Sequence, residues 1–351
     1  MPPVKILLVS NMYPGKKQVY FGAFIKNIEE GLTENGALVD RIVIQERGKN
    51  FIHVILKYLF FYAKLLLVDL SKYDFVQVSY PSHSYLPFFF KRMKKCKMIV
   101  RLHGYDLLSR GPLAILFKEI TKKAVMQADL TVVPSNFFYK ELEKVVIPKD
   151  YYIYPSGGVD ITKFFDIAKE DNVFTMGFVG WLLHGKGADV LIESLTYLRD
   201  LDCKCVLVGD GNMKDKLVEY AKDLGVEDKV QFAGSIANNQ LVKFYNEFDV
   251  FVFPTREKES FGNVAIEAMA CKVPVIGSNR GALPDYIYDG ENGYLFEPGN
   301  AEDLAIKIRS YYDLSLNEKR KMQDCAFKVS GKYEKKLVST QFISKLESIR
   351  G

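Results

Sequence analysis

Short apolar runs alternate along this chain with stretches whose apolar residues recur every three to four positions. The first pattern suits buried strands, and the second suits amphipathic helices packed on them. In the first half, strands are expected at residues 5–10, 38–44, 75–80, 98–102, 130–134 and 152–154, with helices between them, the clearest over 22–35. A turn-rich stretch at 155–160, PSGGVD, and a polar connection running to Asp171 then interrupt the alternation. It restarts at 174–179, and further strands are expected at 204–208, 230–233, 250–254, 274–278 and 293–296. Residues 334–351 read as a polar amphipathic helix that packs back on the first half.

Alternation of this kind builds parallel sheets from βαβ units, so the expected fold class is α/β. At 351 residues the chain is too long for one ordinary core. Two Rossmann-like domains facing across a cleft are expected, over 1–157 and 171–333, with ligands beyond the carboxyl ends of the strands. The most apolar long stretch, 54–70, is broken by Lys57, Lys64 and Asp69, which argues against a membrane span of about 20 apolar residues. The opening MPPVKILLVSNMYP reads as a strand and turn, without the marks of a secretory signal. Five cysteines with no repeating spacing point to a reducing compartment, and Cys203 and Cys205 read as small buried hydrophobes. The location expected from these features is cytoplasmic.

Charge divides unevenly. Residues 1–155 hold 23 lysines and arginines against 13 acidic residues, a net +10, whereas the remainder holds 25 against 30, a net −5. This asymmetry points to an anionic partner for the first half. There, FFFKRMKKCK at 88–97 sets three aromatics beside five cations, which suits an anionic lipid surface, and no nucleic-acid-binding motif accompanies it.

The most informative chemistry lies at 258–274, KESFGNVAIEAMACKVP, where Glu259 and Glu267 stand eight positions apart. Glu267 interrupts an otherwise apolar helix set between two strands, and a buried carboxylate there is costly without a hydrogen-bonding partner. Ser260, Phe261, Gly262, Asn263 and Val264 lie where that helix begins and its backbone donors are unpaired. A continuous helix would set the two carboxylates roughly 12 Å apart. Upstream, GFVGWLLHGKG at 177–187 leads a strand through glycines and Lys186 into a helix, an arrangement suited to phosphate. Hydroxyls at both ends with a diphosphate between describe a nucleotide-sugar. Glu267 would accept from ribose, Glu259 from the sugar, and Lys186 with the helix start would hold the phosphates.

At these residues the chain resembles the family 4 retaining glycosyltransferases (glycosyl transferases group 1) with the GT-B fold. The resemblance rests on the two glutamates with seven residues between them, Lys186-Gly187, VGDGN at 208–212, RGALPD at 280–285, DGENG at 289–293 and HGYD at 103–106. Ala128-Asp129 through Pro134-Ser135, and Gly158-Val159-Asp160 before Phe164, also match. It implies sugar transfer from a nucleotide-sugar, UDP-linked by expectation, with retained configuration and no essential metal. The acceptor is expected to be lipid-linked or a saccharide, in cell-surface polysaccharide or glycolipid synthesis; the basic, aromatic first half points to the lipid and to a peripheral place on the inner face of the membrane. Carried over, His103 contacts the donor sugar, Glu259 holds its hydroxyls, Glu267 the ribose, and Gly22 lies near the diphosphate.

Some positions depart from the family pattern. Trp181 stands where an arginine is usual, so either Arg256 substitutes for it or leaving-group stabilisation is weaker. A single Gly22 stands in place of a pair, and Cys271-Lys272 replaces a glycine-containing turn. Asp200-Leu201-Asp202 reads as a surface loop and not a metal motif, and His184 is as readily incidental as a phosphate contact. A nucleotide-sugar epimerase or phosphorylase, or a non-catalytic nucleotide-sugar-binding scaffold, are the alternative readings.

Overall fold

The computed structural model describes residues 2–16, 18, 21–48, 50–90, 95–108, 111–169 and 173–350. The chain divides into two units, one of residues 1–158 with 335–351 and the other of 159–334.

The first unit holds β1 (Lys5–Ser10), β2 (Leu38–Val43), β3 (Phe75–Ser79), β4 (Lys97–Arg101), β5 (Leu130–Val133) and β6 (Tyr151–Ile153). They form one parallel sheet in the order β2-β1-β3-β4-β5-β6. Strands β3 and β5 are buried along their whole length, as helices on both faces of a parallel sheet require, whereas the edge strand β2 carries Asp40 and Arg41 and stays partly exposed. The last helix, Lys335–Ile349, belongs to this unit. Its Phe342 is fully buried, 5.0 Å from the Tyr154 ring and 5.3 Å from Tyr152. The buried Arg101 guanidinium lies over Tyr154 and Phe342 and donates to Gln77 Oε1 at 3.1 Å, so ring faces and an amide take the place of water around its charge.

The second unit holds β7 (Phe174–Val179), β8 (Cys203–Val208), β9 (Val230–Gly234), β10 (Val250–Phe253), β11 (Val275–Ser278) and β12 (Gly293–Phe296). Their parallel sheet runs β12-β11-β10-β7-β8-β9. Chain order therefore reverses between β7 and β10, which leaves a crevice where the loops after these strands diverge. All twelve strands fall within one residue of the sequence expectation at each end, consistent with the α/β reading.

Two expectations change. The connection before β7 is not a linker, because Val159 and Phe164 are buried in the second unit's core and the Val159 amide donates to the Tyr333 carbonyl at 2.8 Å. The second unit thus begins at Val159, while Asp171 lies outside the described residues. In the basic aromatic stretch, Phe88 is buried in the first unit's core, where apolar burial outweighs exposure to a surface partner, and residues 91–94 lie outside the described residues. Cys203 and Cys205 are buried and form no disulfide.

Replacing Phe342 by Ala removes a ring from the centre of the first unit's packing. The Phe342→Ala variant is expected to lose about 3–5 kcal/mol, read as a lower urea midpoint for the transition of that unit.

Candidate functional site

The loops after β7 and β10 meet at the strand-order reversal. A short turn, His184–Lys186, follows β7, and Gly187 then caps the helix Ala188–Ser194 with φ 73°. A Cβ on Gly187 would stand 1.9 Å from the Pro254 carbonyl oxygen, so only glycine lets the two loops approach this closely. The Arg256 amide donates to the Gly185 carbonyl at 2.8 Å, and the Arg256 guanidinium grips Asp189 through bonds of 2.6 and 2.8 Å. Arg256 thus holds the two loops together, and Trp181 is largely exposed.

This closure delivers Lys186 to two carboxylates. Its Nζ lies 2.5 Å from Glu259 Oε1 and 3.1 Å from Glu257 Oε2. Burial opposes the ammonium charge, but Glu259 and then Glu257 outweigh it, and the lysine pKa is raised above its ordinary value. The buried Thr255 hydroxyl donates to Glu259 Oε1 at 3.3 Å. Behind Glu259 lies the RGALPD turn, whose Ala282 amide donates to the Glu259 carbonyl at 3.0 Å and whose Gly281 leaves no room for a Cβ beside the Glu259 backbone. VGDGN serves the other side. A Cβ on Gly209 would meet the Gly180 carbonyl at 1.8 Å, and the Leu182 amide donates to the Asp210 carbonyl at 3.0 Å. Both motifs thus position the loops that carry charge.

The helix after Gly262 runs Asn263–Ala270. It starts after Glu259, so the rise per residue of a continuous helix does not measure the spacing of the two glutamates; Glu259 belongs to the loop and faces Lys186. Gly262 has φ 93° and sits against Phe253 and the Tyr286 hydroxyl. Ser260, Asn263 and Val264 are half-buried at the helix start, and the buried Asn263 Oδ1 has no hydrogen-bond partner among the described residues. The Phe261 side chain is core, in contact with the rings of Tyr286 and Tyr333, because the apolar ring gains more from burial than from a polar ligand; only its backbone is placed to serve the site. Glu267 has the partner that its apolar surroundings demand. The Tyr245 hydroxyl donates to Glu267 Oε2 at 2.9 Å, and burial, incompletely offset by that bond, raises the carboxyl pKa from 4.5 to about 7.

In the first unit, Gly22 caps the helix Ala23–Glu34 with φ 73°, and a Cβ there would meet the Met12 backbone at 2.8 Å. His103 follows β4, stacked on Tyr80 at 4.8 Å and tilted against Phe24 at 5.0 Å. Burial, and then the Arg101 charge, hold its pKa well below 6.5, so the imidazole is neutral at neutral pH. Its amide donates to Asp106 Oδ2 at 3.2 Å, and Ser82 donates to Asp106 Oδ1 at 2.9 Å. Burial raises the Asp106 carboxyl to about 6. Asp200 pairs with Arg309 on the surface, as the loop reading requires, and no cluster of metal-ligating side chains occurs among the described residues. Sequence reasoning missed Glu257, Thr255 and Tyr245. The first two stand within four residues of Glu259, whereas Tyr245 reaches Glu267 only through the fold.

Residues 160–328 match the family described as glycosyl transferases group 1. Over those residues, which fall in the second unit, the sequence is that of a group 1 glycosyltransferase. This glycosyltransferase is 30% identical to an uncharacterized glycosyltransferase of Methanocaldococcus jannaschii over 60% of its own length and 57% of the relative's. It is 27% identical to the N-acetyl-alpha-D-glucosaminyl L-malate synthase of Bacillus anthracis, over 70% of this chain and 67% of that one. In fold it is similar to Anabaena HepE in complex with UDP, with a TM-score of 0.79 and 19% identity over 98% of this chain and all of the other.

The raised Glu267 pKa has a consequence for stability. Between about pH 4.5 and 7 the folded glycosyltransferase keeps this proton while the unfolded chain has lost it, so stability falls as pH rises through that window. Glu267→Gln removes this contribution. From pH 5 to 8 the variant's urea-derived unfolding free energy is expected to drop by about 1–3 kcal/mol less than that of the wild type.

Proposed function

We propose that this glycosyltransferase moves a sugar from a UDP-sugar to a lipid-linked or saccharide acceptor in the synthesis of a cell-surface polysaccharide or glycolipid. The reaction retains anomeric configuration and uses no essential metal. The observation that carries this reading is the Lys186–Glu259–Glu257–Thr255 cluster at the carboxyl ends of β7 and β10, the position where sheets of this topology bind nucleotides. The UDP in the Anabaena neighbour, a protein of like fold, supports the choice of base.

In this reading the Lys186 ammonium neutralises the leaving diphosphate, assisted by backbone N–H groups at the start of Asn263–Ala270. Glu259, fixed from behind by Ala282, accepts from sugar hydroxyls, and Glu267 accepts from ribose. Asn263, with its unpartnered side-chain oxygen, meets the nucleotide. In the first unit, Gly22 opens a helix start suited to anionic oxygen, and His103 supplies a neutral imidazole for a sugar hydroxyl. The bond from the sugar's anomeric carbon to the phosphate oxygen breaks as the acceptor oxygen bonds to the same face. The acceptor proton passes to an oxygen of the departing phosphate.

UDP release from UDP-sugars is expected only when acceptor is present; release without acceptor, with epimerised sugar, would instead identify an isomerase. Lys186→Ala is expected to lower kcat about 10²–10³-fold while leaving the fold intact, and turnover at the wild-type rate in that variant would remove the assignment.

A further inference from the structure

The helix Phe51–Leu67 is apolar on both faces. Phe61 and Leu65 point into the first unit's core, but the opposite face is apolar as well. Phe51, Ile52, Ile55, Leu56, Leu59, Phe60, Leu66 and Leu67 are all exposed, Phe51 by 78%, Phe60 by 70% and Leu67 by 85%. A helix covering a soluble domain places polar residues on that face. Here the exposed positions fall in adjacent pairs, three spaced four residues apart and the last seven further on, forming a stripe along about 26 Å of helix. That stripe is wider than the two-position seam by which helices pair.

The charges around the stripe identify its occupant. The helix contains Lys57 and Lys64 and no acidic residue. With Lys16 these lysines border a cavity of about 390 Å³ beside the helix, lined also by Phe60, Ile44 and Glu46, where the chain leaves β1 and β2. Burial lowers the Lys57 pKa despite nearby Glu46, a strain that anionic oxygen in the cavity would relieve. A neighbouring helix, Ala114–Gln127, meets the same short helix Pro81–Ser84 through His83, which lies 6.4 Å from the Tyr58 ring and 4.7 Å from Phe117. That helix also opens on exposed Leu113, Ile115 and Leu116, and it carries three lysines against one glutamate. At 17 residues, with one face held by the protein core, Phe51–Leu67 does not cross a bilayer, and no helix among the described residues is long and apolar enough to do so.

We propose that Phe51–Leu67 lies flat in the headgroup region of an anionic lipid bilayer. Its phenylalanine and leucine stripe enters the acyl boundary, and Lys57, Lys64 and Lys16 take lipid phosphate. This deepens the membrane-linked part of the proposed function by naming its surface, and it requires no sugar transfer.

The test is cosedimentation of the full chain with phosphatidylcholine vesicles, with and without phosphatidylglycerol, at low and high salt. Binding is expected to need phosphatidylglycerol and to weaken with salt. The Leu56→Glu/Phe60→Glu variant is expected to bind at least about tenfold less, and Leu67→Glu at the exposed helix end to weaken binding in the same direction, both keeping the wild-type thermal shift with UDP. Failure of the wild type to bind, or equal binding by wild type and both variants, overturns the proposal. So does a wild-type dimer that the variants convert to monomer without any vesicle binding, which would assign the face to a second copy. Vesicle binding without any thermal response to UDP-sugars would instead overturn the catalytic reading and leave this one standing.

Discussion

The Gly185 carbonyl accepts from the Arg256 amide at 2.8 Å, and through this bond the loop after β7 is pinned to the loop after β10. The strand-order reversal brings the two loops to one crevice, but topology alone would leave them apart by a side chain's width. Glycine at 187 removes that width against the Pro254 carbonyl, and the Arg256–Asp189 pair closes the far side. Only then does Lys186 reach Glu259. The charged cluster is thus a consequence of backbone contact, and the glycines that permit the contact matter to it as much as the charges.

A second constraint is shared by both units: each holds a carboxyl group that its surroundings keep from ionising at the ordinary pH. Glu267 reaches about 7 and Asp106 about 6, each because burial outweighs the hydroxyl that donates to it, Tyr245 in one case and Ser82 in the other. The neutral His103 beside Asp106 fits the same economy, since an imidazolium next to the buried Arg101 would be repelled. Sites built this way exchange hydrogen bonds with neutral hydroxyls without creating unpaired buried charge. Sugar hydroxyls are groups of that kind.

The strands were legible because buried parallel strands are continuous apolar runs, and nothing else in this chain competes with that pattern. Lys186, Glu259 and Glu267 were legible because each violates its local pattern, two by position around an apolar helix and one by its glycine neighbours. What stayed hidden depends on distance in sequence. Tyr245 lies 22 residues from Glu267, and Asp189 lies 67 from Arg256, so neither partner leaves a local mark. The apolar connection through Val159 and Phe164 looked polar because the charged residues around those two dominate the stretch. The stretch 54–70 was expected not to span a membrane, and it forms most of the helix Phe51–Leu67; with apolar residues on both faces of that helix, the sequence leaves no mark of which face meets the core.

The cluster around Lys186 sets how an anion can enter it. One ammonium faces two carboxylates, so the three groups together carry a net negative charge, and a diphosphate cannot simply be added. One carboxylate must yield. Glu257 has 58% of its side chain exposed and sits 3.1 Å from Nζ, whereas Glu259 is 17% exposed, closer at 2.5 Å, and held by Thr255 as well. Releasing Glu257 to water costs little, because exposed ion pairs contribute at most about 1 kcal/mol. Releasing Glu259 would abandon a second hydrogen bond in a drier place. In the proposed reaction, phosphate oxygen therefore replaces Glu257 on Lys186, and Glu259 stays fixed beside it, next to where the sugar would follow the diphosphate. With an exposed Trp181 in place of a further cation, the exchange of one carboxylate for one phosphate leaves Lys186 as the side-chain cation of this cluster, and the remaining compensation falls to backbone N–H groups at the start of the helix Asn263–Ala270.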